Sequence, residues 1–193
     1  MTQRTLVMGA VAYAPKVVTI WEGFKTWFHD RGLAFDFVLY SNYERQVEDQ
    51  FNGAIDVAWN SPLAWVRAAR MAQAKGVKVS AIAMRDTDCD LTSVLVVRNH
   101  QGIDDVGALR GRTVGFGAID SPQATLIPLD HLRTAGLVAG RDYTAQRFDV
   151  LGGKHGDHVG GELDAAKALV TGRIDAAWMI DGNHLAFSSD GTL

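Results

Sequence analysis

One segment of this chain occurs twice, and that repeat constrains the fold more than any other feature. Asn52-Gly53-Ala54-Ile55-Asp56-Val57-Ala58-Trp59 is echoed by Thr171-Gly172-Arg173-Ile174-Asp175-Ala176-Ala177-Trp178, with Gly, Ile-Asp and Ala-Trp in the same places. Each copy reads as a helix end, a glycine stop and a short strand. Such junctions also recur by chance in α/β chains. The matched punctuation favours two related lobes that use one junction at the same place. A chain of 193 residues is long enough for two small lobes, and it can bury a core without disulfides or metals.

The rest of the chain alternates between strand and helix patterns. Thr5 to Ala10 reads as a buried strand, and Pro15 suits a first helical turn. Val17, Ile20, Trp21, Phe24, Trp27 and Phe28 follow helical spacing up to a stop at Gly32. Phe35 to Tyr40 is a second strand, Ser41-Asn42 caps a polar-faced helix over Tyr43 to Phe51, and Ile55 to Trp59 is a third strand. Ser61-Pro62 opens a helix to about Lys75, and Val77 to Met84 and Leu91 to Val97 read as further strands.

A second unit follows. It has a short helix at Asp104 to Leu109, a strand at Arg112 to Phe116 and a helix from Ser121-Pro122 to about Ala135. A strand at Tyr143 to Val150, a Gly/His loop from Gly152 to Gly161, a helix at Leu163 to Val170 and a strand at Ile174 to Met179 complete it. This order predicts an α/β fold of mostly parallel sheets flanked by helices. The expected lobes are residues 1–84 and 85–193. Ligands in such sheets sit beyond the carboxyl ends of the strands, so both echo strands are expected to point at one interlobe cleft.

Composition narrows the partners. A net charge of −3 without any Lys/Arg cluster argues against nucleic acid. No apolar run approaches the roughly 18 residues of a membrane span, so no membrane insertion is expected. The chain as written runs from Met1 straight into a strand pattern, which points to the cytoplasm; a leader removed upstream would make it periplasmic or cell-surface. Cys89 is the sole cysteine and cannot form an internal disulfide. No phosphate-binding loop, dinucleotide motif or Ser-His-Asp signature is present, so no cofactor is expected.

Eight residues are candidates for contact with a small polar ligand. Ser121 caps a helix with Pro122 in its first turn, and the backbone N–H groups of Gln123 and Ala124 are expected to face outward at the positive end of the helix dipole. Asn60 and Ser61 repeat that geometry before Pro62. In both places the alternative is an ordinary cap. Tyr13 follows the first strand, where an aromatic either meets a ligand or packs in the core. His155, in Lys154-His155-Gly156-Asp157-His158, is a candidate hydrogen-bond donor. The same cluster with Glu162 nearby is a weaker candidate for metal, and a solvated loop is the remaining reading. Asp181 follows the second echo strand and either faces the ligand or serves the turn before Gly182. The tryptophans are expected in the core.

With these segments in view, the chain resembles the phosphonate-binding family of type 2 periplasmic binding proteins. The likeness rests on Ile55 to Trp65, on Gly117-Ala118-Ile119-Asp120-Ser121-Pro122 with the following Leu126-Ile127-Pro128, on Leu151 to His155, and on Asp164-Ala165-Ala166 with Gly172 to Ala176. It covers roughly residues 5 to 185. The resemblance implies an anionic or zwitterionic solute bound as the substrate-binding component of an ABC transporter, with an ABC permease as partner. The family's anion-binding turn is rich in hydroxyls and glycine, whereas Pro122, Gln123 and Ala124 stand here. The family's chain also continues and returns to the first lobe, so the first lobe is expected to lack that return. Two other readings remain open. One is a cytosolic biosynthetic enzyme on the same scaffold, with His155 or His158 and Asp181 as acid and base. The other is a regulatory ligand-binding domain.

Overall fold

A computed structural model describes residues 4–12, 15–148 and 158–193. The chain divides into two units, Met1–Ile82 and Ala83–Leu193. The first unit runs β1 (Leu6–Val11), α1 (Lys16–His29), β2 (Phe35–Tyr40), α2 (Tyr43–Phe51), β3 (Val57–Ala58) and α3 (Pro62–Lys75). Its sheet has the order β2-β1-β3, with both pairings parallel. The second unit runs β4 (Ser93–Val97), β5 (Thr113–Phe116), α4 (Ile127–Thr134), β6 (Thr144–Arg147), α5 (His158–Val170), β7 (Ala176–Ile180) and α6 (Asp181–Ser189). Its sheet has the order β4-β7-β5-β6. Only β4 runs antiparallel, against β7.

The echo is a shared structural kernel. In each unit a central strand (β1 or β5) lies between the strand before the helix (β2 or β6) and the echo strand (β3 or β7). Gly53 and Gly172 both adopt φ of 77°, the left-handed region where a side chain is strained. Asp56 donates its N–H to the Val7 carbonyl at 2.8 Å, and its carboxylate accepts the Val7 N–H at 3.0 Å. Asp175 does the same to Thr113, at 2.8 Å in both directions. Arg4 pairs with Asp56 and Arg112 with Asp175. The isoleucines match as well. A Cβ added to Gly9 would lie 2.5 Å from Ile55 Cδ1, and one added to Gly115 would lie 2.5 Å from Ile174 Cδ1. Gly9 pairs in register with Ala58, and Gly115 with Ala177. The repeated residues therefore fix how the echo strand seats against a glycine in the central strand.

Packing follows the strand period. On one face of the second sheet Trp178 joins Val114, Phe116, Leu132 and Leu137; on the other, Ala177 and Met179 meet Leu169, Ile174 and Phe187. In the first unit Val17 and Trp21 bury one side of α1 on Ala10 and Phe35. Phe28 closes that core, with its ring centroid 4.7 Å from that of Phe35. Ile20, Phe24 and Trp27 lie on the exposed side of the same helix, so the core position expected of the tryptophans holds for Trp21 and Trp178 and fails for Trp27 and for Trp59, which is also exposed. Among the described residues no helix is long and apolar enough to cross a membrane.

Two expected elements are absent or altered. The run Val77 to Met84 forms no strand, with Ile82 77% and Met84 65% exposed. β-propensity needs a neighbouring ladder to become a strand, and no described strand pairs with it. The helix expected from Pro122 opens instead as a π turn over Pro122–Leu126 before α4 begins. There Leu126 N–H donates to the Ser121 carbonyl at 3.0 Å, and Ile127 N–H reaches the Pro122 carbonyl. Pro128 has no N–H to continue a regular ladder through this point.

Candidate functional site

In the first unit the candidate residues stand at the carboxyl edge of β1 and β3. Asn60 and Ser61 are half-buried and lead into α3. Ser61 Oγ accepts the Ala64 N–H at 3.2 Å, and Pro62 fills the first turn. Behind them lies a side chain that the sequence reading missed. Gln46, on α2, is 0% exposed. Its Nε2 donates to the Trp59 carbonyl at 3.1 Å and to Asn60 Oδ1 at 2.8 Å. Gly9 leaves room for it: a Cβ there would come 3.2 Å from Gln46 Cγ. The signal for Gln46 was a polar residue beside Val47 on the apolar stripe of α2. Next to it, burial pushes the Tyr40 hydroxyl pKa up, and a hydrogen bond to Asp49 adds to the shift.

In the second unit the candidates stand at the carboxyl edge of β5 and β7. Ser121 is 1% exposed, and its Oγ accepts the Ala124 N–H at 3.1 Å. That contact corrects the expectation for Ala124. Its N–H is spent on the cap, and its side chain is fully buried, packed so close to Gly117 that a Cβ there would lie 2.8 Å away. Gln123 is half-buried, and its carbonyl accepts the Ser93 hydroxyl at 2.6 Å, which anchors the π turn to β4. Asp181 is the first residue of α6 and half-buried; its carboxylate accepts the Gly182 N–H at 2.8 Å, the local turn bond. Tyr13 and His155 lie outside the described residues, as do Lys154 and Asp157 of the loop cluster. Among the described residues no group of three or more His, Cys, Asp or Glu side chains is gathered for a metal.

Glu162 is the counterpart of Gln46. It is 2% exposed, on the buried side of α5. Its carboxylate accepts the Ile180 N–H at 2.9 Å and the Asn183 Nδ2 at 2.8 Å. It thus ties α5 to the turn from β7 into α6. Gly161 allows the approach, because a Cβ there would strike the Phe148 carbonyl and lie 3.3 Å from Ala118 N. A carboxylate in line with Ala165, Ala166 and Leu169 was the sequence signal for Glu162. Each unit therefore holds the turn after its echo strand with a buried polar side chain from the preceding helix. The polarity is opposite: Gln46 donates and Glu162 accepts.

Comparison with known proteins identifies a family and several structures of similar fold. Residues 10–192 match the family model described as ABC transporter, phosphonate, periplasmic substrate-binding protein. The fold is similar to that of PhnD1 from Prochlorococcus marinus, solved in complex with methylphosphonate, with a TM-score of 0.62 and 18% identity over 97% of this chain and 67% of that one. It is also similar to a binding protein component of an ABC phosphonate transporter from Pseudomonas aeruginosa, with a TM-score of 0.53 and 15% identity over 97% of this chain and 61% of that one. The periplasmic aliphatic sulphonate binding protein SsuA of Escherichia coli gives a TM-score of 0.52 and 18% identity over 98% of this chain and 55% of that one. The chain thus spans about two thirds or less of these proteins' lengths, and at such identities the likeness carries the fold. The family-model match covers nearly the whole sequence, and the chain belongs to the phosphonate family of periplasmic substrate-binding proteins of ABC transporters.

Proposed function

We propose that this protein binds a small oxyanion of the phosphonate or sulfonate class and delivers it to an ABC permease. One observation carries the reading. At the opening of α3, Asn60 Oδ1 and Ser61 Oγ each accept a hydrogen bond from within the unit. The protons that remain to these side chains, on Asn60 Nδ2 and Ser61 Oγ, stand beside the positive end of a helix. Ser121 repeats the pattern in the second unit, because its oxygen accepts from Ala124. Donors at the positive end of a helix suit an anion. The relatives' ligands support the choice of class: one structure holds methylphosphonate, and another protein is named for aliphatic sulphonates.

The family is described as periplasmic. This reading accordingly places the protein's work outside the cytosol, against the cytoplasmic location expected from its first residues. The test is calorimetric titration of the purified chain with methylphosphonate, inorganic phosphate, methanesulfonate and a neutral diol of similar size. Saturable binding of at least one oxyanion, with none of the diol, is the expected result. Equal binding of the diol, or no binding of any oxyanion, overturns the reading.

A further inference from the structure

We infer that Gln46 sets the polarity of the Asn60 amide and so decides that this site takes an acceptor rather than a donor. The inference deepens the oxyanion reading and rests on it for the identity of the ligand. An amide side chain has a donor end and an acceptor end of nearly the same shape, so its orientation must come from its partners. Here the ordering starts from a group that has no choice. The Trp59 carbonyl can only accept, so the end of Gln46 that faces it at 3.1 Å is Nε2. The second Nε2 proton points to Asn60 at 2.8 Å, so the Asn60 atom there is Oδ1. The Asn60 Nδ2, with its two protons, is therefore turned away from Gln46.

Burial makes this arrangement hard to reverse. Gln46 is 0% exposed, so water cannot readily replace a lost partner. Turning its amide over would set Oε1 against two oxygens. Its Oε1 is itself buried without a partner among the described residues, so nothing on that side favours the turned form. Gly9 and α2 hold the side chain in place, with a Gly9 Cβ position only 3.2 Å from Gln46 Cγ. Gln46 touches Asn60 and the Trp59 backbone, and it acts on the ligand through them as a positioning residue.

The test is a double-mutant cycle on affinity for methylphosphonate and inorganic phosphate, using the full chain. Asn60→Ala removes the donor and should weaken binding about tenfold, as expected for one hydrogen bond to a charged group. Gln46→Met keeps the length of the side chain and removes its instruction. It should weaken binding several-fold in the native background and not at all in the N60A background. An equal loss in both backgrounds, or no loss in either, overturns the inference while leaving oxyanion binding intact. Side-chain amide exchange by NMR tests the orientation without a ligand and without a variant. Both Gln46 Nε2 protons should be protected, and the Asn60 Nδ2 protons should exchange with solvent. Protection of Asn60 Nδ2 with rapid exchange at Gln46 overturns the inference. If the wild-type chain binds no oxyanion, the proposed function fails, and the exchange pattern still decides the amide orientation.

Discussion

Replacing Gly9 by alanine tests whether the echo is a shared packing device. A Cβ at Gly9 would lie 2.5 Å from Ile55 Cδ1, 3.0 Å from Tyr40 Cε2 and 3.2 Å from Gln46 Cγ. Ordinary carbon contacts are about 3.5–4.0 Å, so the isoleucine tip must move by about 1 Å. Such overpacking costs about 1–3 kcal/mol. Alanine recovers about 0.5–1 kcal/mol of the glycine's extra chain entropy. The net loss is then on the order of 0–2.5 kcal/mol. Ile55→Val removes the colliding methyl and alone costs about 0.5–1.5 kcal/mol. In the G9A background it should cost almost nothing, giving a coupling of about 1 kcal/mol. Gly115→Ala with Ile174→Val should behave alike, since that Cβ would also meet its isoleucine at 2.5 Å. Urea titration followed at the amides of β1 and β5 reads each unit separately. If the paired changes add within about 0.5 kcal/mol in both units, the packing argument for the echo is wrong.

Other outcomes follow from single contacts. Asp175→Ala leaves the Thr113 N–H without its carboxylate acceptor and should cost about 1–3 kcal/mol in urea titration, whereas Asp175→Asn, which keeps an acceptor oxygen, should cost less. Gly23→Ala, where nothing lies within 4 Å of the new methyl, should stabilise α1 by about 0.5–1 kcal/mol. Gly161→Ala meets the Phe148 carbonyl and Ala118 N and should lower the thermal midpoint despite the same gain in helix propensity. The Asp142 carboxyl is held down to about 2, first by Arg141, then by the Val138 N–H and Arg110. A depressed value means that its contribution to stability is complete above its unfolded value near 3.9 and is lost as pH falls towards about 2. Asp142→Asn should therefore flatten the acid end of a melting-temperature profile between about pH 4 and pH 2.

The alternation of strands and helices was legible because it is written in local signals. Asn42 caps α2 by accepting the Arg45 N–H at 2.8 Å, and Gly76 ends α3 in the left-handed region. Both signals depend on neighbours in sequence. Val77 to Met84 was misread because its composition suits a strand, while strand formation depends on a partner that composition does not contain. The caps at Ser61 and Ser121 were read at the correct residues. Their consequence for Ala124 was not, because the N–H expected to face outward is the one the Ser121 hydroxyl oxygen accepts from. Gln46 and Glu162 escaped notice for a different reason. A polar residue on an apolar helix stripe is visible in sequence, but its importance comes from the strand-to-helix turn it reaches, 14 residues away for Asn60 and 21 for Asn183.

The two units agree in the residues that seat the echo strand and differ in the buried side chain that holds the turn after it. The glycine stop, the isoleucine over a strand glycine and the aspartate bracket recur with nearly the same distances. Each of these solves a backbone problem that is identical in both units, so the same residue is favoured twice. The buried side chain that holds the following turn is not repeated in this way. There the units diverge, from an amide that donates at Gln46 to a carboxylate that accepts at Glu162. By the reasoning that orients Asn60, Asn183 turns its Nδ2 to Glu162 and its Oδ1 away from it.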